Sequence, residues 1–444
     1  MKIAIIGGGS GQWTPTIVRD LAVTERLEGC RIVLEDIAPD RLERTLPMAR
    51  RILEQADTGC TVEATTDQRA ALEGADFVIL TIAVGGLDAM RHDLEIPARY
   101  GVYQSVGDTV GPGGIFRALR SVPVVVAIAR DMEALCPDAW LLNYTNPMST
   151  LCRAVTKATR IRTIGLCHEL YGCLRLLRGI LGLETNDRLA WRVAGINHLI
   201  FLTELRLDGE DAFPKLSRFI DDNPDYRRAT VPPSDPGFPF QDRAVLKLCM
   251  FKDLGVLPAA GDRHTAEFYP HFLTDETDHG RTYGIELTTI AHRVVVENEA
   301  FARVDRIAAG EETMNLAPSE EAVSRLIAAL AHGHDYTDVM NRPNTGQIAN
   351  LPEGAIVETM ATVRNGEIMP DQVGDVPPAI RTVLEHHIHV QELTVEAALT
   401  GNRGLALEAF LLDPLVRDPA SGSGMFDELL AAHRGYLPQF PAPR

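Results

Sequence analysis

Two short segments carry residue types that hold a divalent cation. Cys167 and His168 are adjacent in Ile164-Gly165-Leu166-Cys167-His168-Glu169, and His198 closes Gly195-Ile196-Asn197-His198. A thiolate from Cys167 and an imidazole from His198 would leave several positions on the ion open to substrate hydroxyls and water. Such an ion acts as a Lewis acid and stabilises a developing enolate. Asp108 lies in Ser105-Val106-Gly107-Asp108-Thr109-Val110-Gly111, where flanking glycines imply a tight loop. Asp262, Arg263 and His264 are consecutive. Each residue has a plainer reading alone: a free cysteine is commonly a small buried hydrophobe, and an isolated acid or histidine commonly sits in a solvated turn. His386, His387 and His389 are read as structural, because adjacent helical positions do not share a face. Trp13 and Tyr144 are read as packing residues.

The chain opens with the apolar run Lys2-Ile3-Ala4-Ile5-Ile6, followed by Gly7-Gly8-Gly9-Ser10-Gly11. A glycine loop between a strand and a helix turns backbone N–H groups and the helix dipole toward a pyrophosphate. Gly7 and Gly9 match the first two positions of the dinucleotide fingerprint, whereas Gln12 occupies the third. Asp36 ends the second apolar run, where an acid bonds a ribose 2′-hydroxyl and disfavours a 2′-phosphate. NAD is therefore the expected cofactor.

These residues need a scaffold that brings strand ends together. Strands are expected at 2–6, 31–36, 60–64, 77–82, 140–145 and 162–166, with helices at 14–27 and 40–56 between them. Alternating strands and helices imply right-handed crossovers and a Rossmann-type doubly wound parallel sheet, an α/β fold. Ligands of such sheets bind beyond the carboxyl ends of the strands, where Gly7–Gly11, Asp36, Gly85, Asn146 and Cys167 fall. Beyond residue 195 the pattern is mixed: strands at 199–207 and 355–363, helices at 241–254, 319–332 and 376–411, and a proline-rich loop at 222–240. A division into a cofactor domain, 1–195, and a mixed α+β substrate and oligomerisation domain, 196–444, is expected.

The net charge of −18 argues against nucleic acid or an anionic membrane as partner. No apolar run reads as a membrane span, and the apolar start is too short for a signal peptide. The seven cysteines are scattered and odd in number, which is not a disulfide framework. A reducing, cytoplasmic setting is expected.

The chain resembles glycoside hydrolase family 4, the NAD- and manganese-dependent glycosidases. The resemblance rests on Ile5–Ser10, Gly107-Asp108-Thr109 with Gly113–Arg120, Asn143-Tyr144-Thr145-Asn146-Pro147-Met148, Cys167-His168-Glu169 and Gly195–His198. It continues through Asn350-Leu351-Pro352, Val357-Glu358, Val373–Pro378 and Glu392–Ala397. It implies oxidation of the sugar C3 hydroxyl by NAD⁺, loss of the acidified C2 proton, elimination of the aglycone, addition of water and return of the hydride. The family is an exception to the two-carboxylate scheme. It also implies Cys167 and His198 as Mn²⁺ ligands and Asn146 at the substrate hydroxyls. Asp262 is then the base with His264 as its alternative, and His168 or Asp108 is the acid. The Cys167-His168-Glu169-Leu170 pattern is similar to the branch acting on unphosphorylated α-glycosides, with α-glucosides expected first. Arg263 could pair with a uronate carboxylate and keeps α-glucuronides and α-galacturonides open. The family further suggests a homodimer or homotetramer.

Overall fold

A computed structural model describes residues 1–225 and 242–440. The loop expected at 222–240 lies mostly outside the described residues. The parallel half contains β1 (Lys2–Ile6), β2 (Arg31–Glu35), β3 (Thr61–Thr65), β4 (Phe77–Leu80), β5 (Trp140–Asn143) and β6 (Arg162–Gly165). The runs of β1, β2, β4, β5 and β6 are largely buried because helices cover both faces, whereas the edge strand β3 stays partly exposed. The order β3-β2-β1-β4-β5-β6 is all parallel, as the alternation of elements requires.

The second half extends the same sheet instead of building a separate one. It contributes β7 (Leu189–Ile196), β8 (Leu199–Leu207), β9 (Glu210–Asp211), β10 (Leu257–Pro258), β11 (Tyr336–Pro343), β12 (Ile356–Arg364) and β13 (Glu367–Pro370). β11 pairs antiparallel with β6, and β12, β7, β8 and β10 follow outward. β7, β11 and the helix Ile290–Ala309 were not expected. The single helix expected at 376–411 is two, Pro378–Thr400 and Arg403–Leu412, separated at Gly401, whose φ of +70° an L side chain rarely adopts.

One row of paired residues crosses eight strands: Glu35, Ile6, Leu80, Asn143, Gly165, Asn341, Glu358 and Gly195. Gly7, Asp36, Asn146, Cys167 and His198 each follow a member of that row by one to three residues. The sheet thus gathers residues that are far apart in sequence.

The helix Gly111–Leu135 is long and apolar enough to cross a bilayer, which the sequence reading did not register. Here it is a core element: Phe116 is fully buried against Phe410 and Phe426, and Ile115, Leu119, Val122 and Val126 pack in the same cluster.

Candidate active site

The helix Asp262–Glu267 and the loop 105–109 are fastened together, and that brings the chemistry-bearing side chains into one place. Glu267, fully buried, accepts the backbone N–H groups of Val106 (2.7 Å) and Gly107 (2.8 Å) through one carboxylate oxygen. Arg263 donates to the Ser105 carbonyl (2.5 Å), to Thr288 Oγ1 (2.6 Å) and, through Nε, to the Glu286 carbonyl (3.1 Å). Between them on the helix stands His264, and at the end of the loop stands Asp108.

The third participant arrives on a hairpin. Ile196 pairs with Leu199, so Asn197 and His198 form a two-residue turn between β7 and β8. His198 takes φ +66°, a conformation uncommon outside glycine and often associated with functional turns. Its ring stacks on His264 with centroids 3.7 Å apart. Asp108, His198 and His264 each present a ligand atom, and these lie within 4.8 Å of one another.

The surrounding hydrogen bonds orient this trio. Thr109 Oγ1 donates to Asp108 Oδ1 (2.7 Å) and lies 2.7 Å from His198 Nδ1. With its one proton given to the carboxylate, Thr109 accepts from Nδ1–H, which leaves Nε2 as the nitrogen with a lone pair. Asn146 Nδ2 donates to Asp108 Oδ2 (3.1 Å), and Arg117 Nε holds the Asn146 carbonyl (3.0 Å). Burial opposes ionisation of Asp108, but His264, His198 and Arg117 hold its carboxyl well below the usual range. Burial and the adjacent His264 push His198 down to about 3. A carboxylate and a neutral imidazole are the ligating forms of these side chains.

A cation fits these residues. His264 Nδ1, in the trio, is a buried nitrogen without a hydrogen-bond partner among the described residues, and a native interior rarely leaves such an atom idle; Asn146 Oδ1 beside it is also without one. Two imidazoles and a carboxylate suit a divalent transition ion with open positions. Cys167 is not one of the trio. It sits beside Asn197, and burial, Glu358 and Glu169 push its thiol well above the ordinary value. Its side chain also packs against Met148, Cys152 and Ile356.

The dinucleotide cradle is built as its glycines require. Gly7 has φ +94°, and a Cβ there would lie 2.7 Å from the Thr81 carbonyl oxygen; one on Gly9 would lie 2.6 Å from Asp36 Oδ2. Asp36 accepts the N–H groups of Gly9 and Ala38, both at 3.0 Å, and so stands over the loop at the end of β2. Gly11 faces the Phe301 ring, which a Cβ would approach to 3.1 Å. The close packing expected of the fingerprint's third glycine thus falls here. Trp13 and Tyr144 pack on each other at 5.2 Å. His387 is buried and bonded to the Phe268 carbonyl (2.9 Å), and His386 meets the Leu412 carbonyl (2.8 Å), so the clustered histidines point apart.

The expected base is placed elsewhere. Asp262 is buried, and its two oxygens accept the backbone N–H groups of Leu246 (2.9 Å) and Lys247 (3.1 Å) at the start of the helix Val245–Leu254, with Lys247 Nζ 4.0 Å away. It thereby satisfies N–H groups left free at that helix start, and the structure does not bring it into the trio of Asp108, His198 and His264. His168, exposed by about half, pairs through Nδ1 with Glu321 (2.9 Å). Glu169 accepts the Gly261 N–H (2.6 Å). Burial opposes its ionisation, but His264 and His198 hold its carboxyl below the usual range. Thr109, Glu267, Glu321 and the role of Glu169 had no signal in the sequence, since each is defined by partners distant along the chain.

Family models described as "Family 4 glycosyl hydrolase" and "Family 4 glycosyl hydrolase C-terminal domain" match residues 2–183 and 193–416. The chain is 36% identical to an alpha-galacturonidase of Lachnoclostridium phytofermentans, over 99% of this chain and 97% of that one. It is 34% identical to an alpha-galactosidase of Bacillus subtilis, over 99% of both. Its fold matches the crystal structure of lplD from Bacillus subtilis with a TM-score of 0.88 at 33% identity, covering 97% of this chain and 99% of that one. A 6-phospho-alpha-glucosidase from gut microorganisms, solved with NAD and Mn²⁺, shares the fold at 22% identity, with a TM-score of 0.84 and 99% of both chains covered. The chain belongs to the family 4 glycosyl hydrolases, and its resemblance to that family is confirmed over nearly its whole length.

Proposed function

We propose that the protein hydrolyses unphosphorylated α-glycosides with NAD⁺ and a divalent ion, residues 1–195 serving the cofactor and 196–444 the sugar, with Asn146 and His168 of the first half also facing the sugar. The observation that carries this reading is the convergence of Asp108, His198 and His264 beside the idle Asn146 Oδ1, on the sheet edge that also holds the glycine loop. When bound, NAD⁺ supplies a hydride acceptor and the ion a Lewis acid for an enolate.

The chain's own residues do the rest. His198, Asp108 and His264 would hold the ion, with Cys167, just beyond the end of β6, as a sulfur ligand. Asn146 Oδ1 accepts a hydrogen bond from a sugar hydroxyl. His168, held at Nδ1 by Glu321, presents its other ring nitrogen to the leaving oxygen. Gly7–Gly11 and Asp36 would seat the pyrophosphate and ribose.

For the sugar, a uronide is favoured over the α-glucoside first expected. Burial lowers the pKa of Arg117, Arg263 and Arg293, and Asp108 is a counter-charge common to all three. A substrate carboxylate would supply more negative charge there. Arg263, already bonded to two carbonyls and a hydroxyl, would contribute through its charge more than through an open fork. The relatives named for galactose and galacturonic acid support a galacto configuration. The seven free cysteines fit a reducing, cytoplasmic setting.

The test is a panel of nitrophenyl α-galacturonide, α-galactoside, α-glucoside and α-glucuronide with NAD⁺ and Mn²⁺ under reducing conditions. The expected result is release of nitrophenol without NADH accumulating, fastest on the galacturonide. Stoichiometric NADH would instead mark a plain dehydrogenase, and silence across the panel would overturn the reading.

A further inference from the structure

We infer that Cys30 and Cys60 form a redox-modifiable dithiol, a site that takes a low-molecular-weight disulfide as its oxidant. The inference is independent of the proposed substrate. The two sulfurs lie 3.4 Å apart. They immediately precede β2 and β3, whose first residues, Arg31 and Thr61, are paired in register. The Thr61 N–H also bonds to the Cys30 carbonyl at 2.9 Å. Neighbouring strands run about 4.8 Å apart, which falls inside the Cα separation of roughly 4.4–6.8 Å that a disulfide spans. The backbone is therefore already placed for a cross-link.

The two thiols are unequal in a way that suits exchange. Cys30 is buried, with 1% exposure, whereas Cys60 is partly open to solvent. As a thiol, Cys60 donates to the Leu27 carbonyl (3.4 Å); as a thiolate, it accepts from Cys30 and from Thr58 Oγ1 (3.5 Å). The hydrogen bond from Cys30, followed by that from Thr58, outweighs burial and brings Cys60 down to about 6, so the accessible sulfur is the nucleophile.

In the first step the Cys60 thiolate attacks one sulfur of the oxidant. A mixed disulfide forms and one small thiolate leaves. Cys30 then attacks the Cys60 sulfur, its proton passes to the departing second thiolate, and the intramolecular bond closes. Two protein thiols are oxidised, and one small disulfide is reduced to two thiols. The site is remote from the catalytic groups. Cys30 precedes β2 and Asp36 follows it, so the five-residue strand separates them by roughly 17–20 Å.

The test treats the full-length protein with oxidised glutathione, blocks the remaining thiols with iodoacetamide and maps peptides by mass spectrometry. The expected result is a loss of two hydrogen masses, two fewer alkylatable thiols among the seven, a cross-link joining the peptides of Cys30 and Cys60, and an upward shift in Tm. In Cys30→Ala the second step is absent, and glutathione should remain attached to Cys60. A stable glutathione adduct on wild-type Cys60, a cross-link through other cysteines, or no loss of thiols would each overturn the assignment.

Discussion

Thr109 Oγ1 lies 2.7 Å from His198 Nδ1 while donating to Asp108 at the same distance. One hydroxyl therefore fixes the tautomer of an imidazole and the rotamer of the carboxylate beside it. Outer partners of this kind are commonly worth ten- to a hundredfold in metal affinity. Thr109→Val should weaken Mn²⁺ binding by roughly that factor, with Thr109→Ser restoring most of it. Mn²⁺ titration followed by electron paramagnetic resonance checks this without reference to turnover, and equal affinities for the wild type and the valine variant would refute it.

The contribution of Cys167 can be separated from that of the trio. A cobalt ion bound through a thiolate shows a sulfur-to-metal charge-transfer band in the near ultraviolet. That band should be present in the Co²⁺-loaded protein and absent in Cys167→Ser, while circular dichroism stays unchanged. Absence of the band from the Co²⁺-loaded wild type would place the ion on Asp108, His198 and His264 without the sulfur.

Asp262 should behave as a structural residue. Its carboxylate receives two N–H groups at the start of Val245–Leu254 and neighbours the buried Lys247. Asp262→Ala leaves those groups without an acceptor and should cost about 1–3 kcal/mol of stability. Asp262→Asn, which keeps one acceptor oxygen, should cost less and retain exchange of the substrate C2 hydrogen with solvent. Denaturant midpoints and deuterium incorporation measure the two effects separately, and a stable Asn variant devoid of exchange would return the base role to Asp262.

The contrast between Asp262 and Gly9 shows what was legible before the fold was known. β1, β2, β4, β5 and β6 were readable because strands buried on both faces are apolar runs broken by glycine, asparagine or proline. The residues just after them were legible as strand ends for the same reason. β7 and β11 were not, because Arg192, Asn341 and Arg342 interrupt their apolar pattern. Glu358, inside β12, is a buried polar residue beside Cys167. Asp262 looks catalytic in one dimension because it stands next to arginine and histidine, while the N–H groups that it accepts come from fifteen and sixteen residues earlier.

Gly9 gives the cofactor reading a direct test. A Cβ there would lie 2.6 Å from Asp36 Oδ2 and 2.8 Å from Arg41 Cβ, so Gly9→Ala must displace the acid that stands over the loop. NAD⁺ affinity measured by calorimetry should fall by about tenfold or more, equivalent to about 1.4 kcal/mol, while Mn²⁺ binding is retained. Parallel loss of both would show that the substitution disturbs the whole sheet edge and not the cradle alone.

Two buried carboxyls away from the metal trio predict how stability depends on pH. Glu35, 3% exposed at the end of β2, is pushed up to about 7 by burial and then by Asp36 and Asp67. Asp413 is pushed up to about 6 by burial, in spite of the N–H groups of Leu415 and Gly111 that it accepts. A carboxyl whose folded pKa stands above its unfolded one binds its proton more tightly in the folded state. The fold therefore loses stability as pH rises from the unfolded value through the folded one. For Asp413 the rise from 3.8 to about 6 corresponds to a penalty of about 3 kcal/mol, absent well below pH 4 and complete above about pH 7. The Glu35 penalty is completed higher, near pH 8. His198 and His387, pushed down to about 3 and about 4 by burial, act with the opposite sign up to about pH 6.5, so each carboxyl is read as the difference in urea midpoint between the wild type and its amide variant, which should fall between about pH 5 and pH 8. The difference from Glu35→Gln should fall over the upper part of that range and the difference from Asp413→Asn over the lower part. A difference that stays flat or rises over this interval would mean that burial does not dominate at that position.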